Sequence, residues 1–184
     1  MQALISNFIQ SERLPASFIA VVQNYYLPLV EQVAGWHLEA DAPLGVAING
    51  GQGTGKSTLA RFMSLYLFEQ YGLRTIVLPL DDLYKTKAER LELAASVHPL
   101  FATRGVPGTH DLKIGIECAK VCLGYKKKST AIPRFEKEND DRAPRNRWHA
   151  VDTAFDVVIL EGWCVSAVAQ TDSAIGIAIN DLER

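Results

Sequence analysis

Hydrophobic positions recur at two different periods along this chain, and the changes of period mark out its elements. Over the first forty residues the spacing is helical: Leu4, Ile5, Phe8 and Ile9, then Phe18, Val21, Val22 and Tyr25, then Leu29, Val30 and Val33. Two or three helices are expected there, broken near Pro15 and Pro28, because proline cannot donate to the helical ladder. Leu44 to Asn49 is a short apolar run ending in glycines, the pattern of a buried strand. From Lys56 the helical period returns, with Leu59, Phe62, Met63, Tyr66 and Leu67 on one face and Gly72 placed to end the helix. Thr75 to Leu80 reads as a second buried strand, with Asp81 and Asp82 at its C-terminal end. Strand, glycine loop, helix and strand make a βαβ unit, which implies parallel strands and a right-handed crossover.

Further along, a polar helical stretch runs from Lys87 to Ala95 and an irregular segment from Arg104 to Asp111. An amphipathic helix follows from Leu112 to Leu123. Pro133 to Arg147 is dense in charge and proline and reads as a functional or mobile loop. Phe155 to Leu160 is apolar throughout, a third strand with Glu161 at its tip. The sequence contains no internal repeat and no low-complexity tract. The expected organisation is therefore one α/β domain over residues 1–184, with a helical N-terminal extension (1–40) and a parallel-sheet core (44–184).

Composition narrows the class without naming it. With 184 residues, 48% of them hydrophobic, the chain can bury one core but not comfortably two. A formal net charge of −2 supplies no global basic field for nucleic acid, and the run Lys126-Lys127-Lys128 reads as a solvated turn after a helix. Cys118, Cys122 and Cys164 form neither a CxxC nor a Cys/His metal spacing, so a reducing, cytoplasmic setting is expected, with Cys118 and Cys122 as core filler. No apolar run approaches the ~20 residues that cross a bilayer. Nucleic acid and membrane are thus not expected as partners.

The chemistry concentrates at Gly50-Gly51-Gln52-Gly53-Thr54-Gly55-Lys56-Ser57, a full match to G-x-x-x-x-G-K-[ST] between an apolar strand and an amphipathic helix. Glycines let the backbone wrap a phosphate with its N–H groups pointing inward, and the following helix adds its positive end. Lys56 is placed to bridge the β- and γ-phosphates of ATP, and the Ser57 hydroxyl to ligate Mg²⁺. The expected nucleotide contacts run from Gly50 through Ser57 to Thr58. Carboxylates must complete a magnesium site, and in a parallel sheet ligands gather beyond the C-terminal strand ends, where Asp81, Asp82 and Glu161 fall. One of them is expected to orient metal-bound water and another to accept a proton from a substrate hydroxyl; Asp82 can equally be a turn or cap residue.

Several short stretches, in order, resemble one family. Leu80-Asp81-Asp82-Leu83-Tyr84 is similar to its L-D-D-F-Y element, Arg104-Gly105-Val106-Pro107-Gly108-Thr109-His110-Asp111 to R-G-x-P-G-T-H-D, and Pro133-Arg134-Phe135-Glu136-Lys137 to P-R-F-D-K. Asp140-Asp141-Arg142 and Glu161-Gly162-Trp163 resemble the D-D-R and E-G-W elements that follow. The set resembles the D-glycerate 3-kinase family, relatives of uridine kinase and phosphoribulokinase. The resemblance implies a P-loop NTPase fold, a three-layer α/β/α sandwich with parallel strand order 2-3-1-4-5. It also implies transfer of the ATP γ-phosphoryl group to a hydroxyl of D-glycerate. It assigns Asp81 as base, Glu161 to the metal and Asp111 to substrate hydroxyls; with the phosphate-loop and strand-end readings, the expected metal set is Ser57, Asp81 and Glu161. Asp111, preceding Leu112, also suits a helix N-cap.

Glycerate carries a carboxylate, so its site needs a cation, preferably a guanidinium. Arg104, Arg134 and Arg142 are the candidates, each also able to serve as an ion-pair partner, and Asp82, Tyr84 and His110 complete the expected acceptor side. Leu83 and Glu136 stand where the family usually has Phe and Asp. Asn180 to Arg184 resembles an interior stretch of the family, so its last two strands are expected to be missing and the Leu44–Asn49 strand to be left at an edge. Other readings are a kinase of a nucleoside, pantothenate-like or sugar acceptor, an ATPase without metabolite kinase activity, or a non-catalytic nucleotide-binding remnant. A guanine-specific N-K-x-D motif and a transporter signature are both absent.

Overall fold

Alternation along one central strand sorts the chain into layers. The structure is a computed structural model that describes residues 1–176 and residue 178. Strand β7 (Val157–Gly162) lies between β1 (Leu44–Asn49) and β2 (Thr75–Pro79) and runs parallel to both. Successive strand side chains face opposite ways. Accordingly Val157 and Ile159 enter one apolar cluster, while Val158 enters another with Leu160 at its margin. The first cluster contains Phe62, Met63, Tyr66 and Leu67 of α4 (Lys56–Tyr71), Ile5 and Phe8 of α1 (Gln2–Ser11), and Val30 and Val33 of α3 (Leu27–Ala40). The second contains Cys118, Val121 and Cys122 of α6 (Leu112–Cys122), with Ile76 and Leu78 of β2. Helices thus cover both faces of a parallel sheet, the P-loop kinase architecture, and the order β2-β7-β1 supplies the first three strands of the implied order.

The N-terminal helices clamp the helix that carries the phosphate loop. Phe8 meets Phe62 edge-on with ring centroids 5.1 Å apart, Arg61 pairs with Glu12, and the Tyr66 and Tyr71 hydroxyls donate to Glu31. Pro28 does not break the chain as expected. From Phe18 onward α2 (Phe18–Val21), one π-helical turn (Val22–Tyr26) and α3 are continuous, with Pro28 in the first turn of α3. A missing proline donor costs little in a first turn, and the wider π turn absorbs the register change. Gly72, at φ 68°, ends α4 as its position predicts.

Three other boundaries differ from expectation. Strand β2 ends at Pro79 rather than Leu80, and Leu80 to Leu83 form a 3-10 turn that carries Asp81 and Asp82 just past the strand's C-terminal end. The last core strand starts at Val157 rather than Phe155, because the Phe155 and Asp156 N–H groups are taken by the Cys122 and Arg74 carbonyls. Glu161 therefore lies inside β7. The charged segment after Pro133 is hydrogen-bonded rather than structureless. β4 (Phe135–Glu136) and β5 (Asp141–Arg142) form a hairpin, and β3 (Thr130–Ile132) pairs with β6 (His149–Val151). The lysine run is a turn in which Lys126 and Lys128 pair with Glu117.

β1 is an edge strand among the described residues. Gly45, Ala47 and Asn49 are exposed, and beside Gly45 and Ala47 an apolar groove of about 320 Å³ opens against Gly115, Ile116 and Ala119 of α6. Asn180 to Arg184, whose likeness to an interior stretch prompted the edge expectation, fall outside the described residues. No helix among the described residues is long and apolar enough to cross a membrane.

Candidate active site

The phosphate loop leaves β1 and enters α4 through two glycines that only a residue without Cβ adopts cheaply, Gly53 at φ 76° and Gly55 at φ 85°. A Cβ on Gly50 would lie 2.9 Å from the Thr54 hydroxyl, so the loop closes tightly on itself. Thr54 Oγ1 and Lys56 Nζ both donate to the Gly51 carbonyl at 2.8 Å. The loop and the first turn of a sixteen-residue helix border one cavity of about 690 Å³, whose walls include Gly51, Gly53, Lys56, Ser57, Asp81 and Glu161. Thr58 follows in the first turn of α4.

Strand parity brings Glu161 to this cavity. As an odd-numbered residue of β7 it faces the α4 side with Val157 and Ile159, and its carboxylate accepts from Ser57 Oγ at 2.8 Å. Glu161 is only 7% exposed. A buried carboxylate beside a hydroxyl at the head of a phosphate loop is the donor set a hard divalent cation takes, so Ser57 and Glu161 fit Mg²⁺, with Asp81 on the same wall.

Asp81 and Asp82 point into different work. Asp82 Oδ1 accepts from the Phe135 N–H at 2.9 Å, pinning the 3-10 turn to the β4–β5 hairpin. Burial raises the Asp82 pKa, opposed by the Phe135 N–H and the Arg134 charge. Asp81 is 43% exposed and accepts from Lys137 Nζ at 2.7 Å. Burial, then the Asp81 carboxylate, push the Tyr84 phenol up to about 12. Tyr84 stacks on His110 with centroids 4.4 Å apart. His110 is buried, its Nε2 has no partner among the described residues, and burial lowers its pKa.

The three arginines have separated. Arg142, with its side chain 9% exposed, donates through Nε and Nη2 to the Tyr84 carbonyl and pairs with Asp111. It holds the loop together instead of facing the cleft. Asp111 caps α6 through the Ile114 N–H, so the cap reading describes its contacts. Arg104 pairs with Asp140 at 2.9 Å and also donates to the Lys137 carbonyl. Arg134 has no ion pair among the described residues and lines a second cavity of about 870 Å³ with Ser57, Arg61, Asp81, Lys137 and Glu161.

Two contributors carried no legible role in the sequence. Arg90 is fully buried in α5 (Lys87–Ser96) and donates to the Ala102 carbonyl and to both the carbonyl and carboxylate of Asp140. Its only sequence signal was an arginine in a polar helix, which does not distinguish a buried clamp from a solvated side chain. Lys137 was visible as the last residue of a motif, but its contact with Asp81 depends on the hairpin.

Fold and phosphate loop together define the P-loop kinase fold. Neither a protein-family model nor a curated protein matches the sequence. Among solved structures the chain is similar to D-glycerate 3-kinase from Cryptococcus neoformans var. grubii serotype A, at 29% identity and a TM-score of 0.68, over 80% of this chain and 56% of that one. It is also similar in fold to the YGR205w protein, at 23% identity and a TM-score of 0.65, over 98% of this chain and 59% of that one. A possible uridine kinase from Bacillus stearothermophilus follows at 18% identity and a TM-score of 0.51, over 74% of this chain and 71% of that one. The likeness is to a D-glycerate 3-kinase-related family, and the chain spans little more than half the length of the first two of these proteins.

Proposed function

We propose that this chain contains the catalytic site of an ATP-dependent small-molecule kinase that transfers the γ-phosphoryl group to a hydroxyl of D-glycerate. The observation that carries the reading is the Ser57–Glu161 contact at 2.8 Å, beside Lys56 and Asp81 in one cavity. Metal site, phosphate loop and candidate base then share a wall, as in-line transfer requires.

In this reading the loop N–H groups and Lys56 hold the triphosphate, and Lys56 turns from the Gly51 carbonyl to the developing phosphate charge. Ser57 and Glu161 hold Mg²⁺, which when bound neutralises charge on the transferred group. Asp81 accepts the acceptor's hydroxyl proton. Asp82 and Arg142 keep the 3-10 turn and the His110 loop in register.

A coupled ADP-release assay over hydroxy acids, nucleosides and sugars tests it. D-Glycerate should give the highest kcat/KM. Lys56→Ala should lower turnover by two or more orders of magnitude, the scale for one lost transition-state donor, and Asp81→Asn should lower kcat far more than ATP affinity. Nucleotide-independent behaviour, or unchanged turnover in Lys56→Ala, would reject the site.

A further inference from the structure

The two polar cavities meet at one wall. Ser57, Asp81, Lys137 and Glu161 line both, and the Lys137–Asp81 ion pair spans the boundary between them. Phosphoryl transfer needs donor and acceptor in one continuous cleft, so this contact stands where the reacting atoms must meet.

The pair is easily opened. Its side chains are 62% and 43% exposed, and an ion pair in such a setting carries little stability. The backbone beneath it is held firmly: the Lys137 carbonyl accepts from Arg104, and Asp140 at the other end of the turn is gripped by Arg90 and Arg104. Lys137 is thus a flexible arm on a fixed turn.

We propose that Lys137 is the residue that selects an anionic acceptor, exchanging the Asp81 carboxylate for the carboxylate of a short hydroxy acid; this rests on the kinase reading above. A hydroxyl that reaches Asp81 must pass within a few ångströms of the Lys137 ammonium. A molecule bearing a carboxylate two or three bonds from that hydroxyl satisfies both groups together. A neutral polyol would separate the pair and leave the ammonium without an anion. Arg142 is occupied by the Tyr84 carbonyl and Asp111, and Arg104 by Asp140. Arg134, without an ion pair among the described residues, lines only the second cavity and not the wall shared with the phosphate loop. Lys137 is therefore the cation in contact with Asp81 where the cavities meet.

The exchange also releases the base. With Lys137 on the substrate carboxylate, Asp81 takes the hydroxyl proton while the acceptor oxygen forms its bond to the γ-phosphorus of ATP. The bond from that phosphorus to the β–γ bridging oxygen breaks, and its electron pair leaves on ADP. Proton, phosphoryl group and charge are all accounted for.

The test compares D-glycerate with glyceramide, in which an amide replaces the carboxylate, in the Mg-nucleotide-saturated chain. Binding is measured by calorimetry and turnover by ADP release, for the wild type, Lys137→Met and Lys137→Arg. The wild type should favour the acid. Lys137→Met should lose affinity for it about 10- to 100-fold, the worth of one hydrogen bond to a charged group, with ATP affinity within about twofold and thermal stability unchanged. Lys137→Arg should recover part of the loss. Acid binding that survives Lys137→Met, or an equal loss for acid and amide, would overturn the role of Lys137 while leaving the kinase reading intact. A wild type that binds neither acceptor, or prefers the amide, would overturn the hydroxy-acid function and this role with it.

Discussion

Gly162→Ala tests how closely the two carboxylates of the site are tied together. Gly162 follows Glu161 in β7 and turns its empty Cα face toward the 3-10 turn that carries Asp81. A Cβ there would lie 2.5 Å from Leu80 Cβ, 2.9 Å from Leu80 Cδ2 and 3.0 Å from Val165 Cγ2. Ordinary contact begins near 3.4 Å, so Leu80 must retreat by about 1 Å. Rotating its side chain does not help, because the nearest atom is the Cβ itself, fixed to the backbone. Leu80 and Val165 are both buried; the apolar groove beside β1 also borders Leu80, but only a backbone shift can use that space, so the strain should cost about 1–3 kcal/mol. The same shift carries Asp81 away from Ser57 and Glu161, and a displacement of that size can lower turnover about 100-fold. Urea denaturation followed by tryptophan fluorescence gives the stability, and ADP release gives kcat. An alanine variant as stable as the wild type and fully active would show that the 3-10 turn is not braced against β7, and the account of how Asp81 is positioned would fail.

Two further predictions rest on buried charge. Arg90→Met retains most of the volume but deletes the donors to Ala102 and Asp140, so stability should fall by about 2–4 kcal/mol, moderated because Asp140 keeps Arg104; in the same variant the acceptor KM should rise more than the ATP KM, and equal rises would refute a role confined to the hairpin. Burial holds the His110 pKa below its ordinary value, so the neutral imidazole is the form that folding favours. Its contribution is complete above the unfolded value of about 6.5 and is lost as pH falls through that value toward the lower folded one; the urea midpoint should drop between pH 7.5 and 5.5 in the wild type and less in His110→Gln, and parallel profiles would refute it.

Much of this protein was decided locally and was legible for that reason. The phosphate loop is a contiguous string whose glycines, lysine and serine act through their own backbone and the next helix. Helix α4 follows from apolar spacing over four turns and a glycine at its end, and β7 from an unbroken apolar run, since these signals depend on neighbours in the chain. The site around the loop depends on pairings across the fold. Ser57 meets Glu161 across 104 residues only because β7 inserts beside β1 with a parity that turns residue 161 toward α4. Arg104, Arg134 and Arg142 were equivalent as cations in a polar segment. The hairpin separated them by consuming Arg142 in the Tyr84–Asp111 loop and Arg104 on Asp140, and by carrying Lys137 to Asp81. A charge has no period and no propensity that betrays its partner, so which cation faces the cleft is set by the tertiary packing of elements that the sequence shows only one at a time.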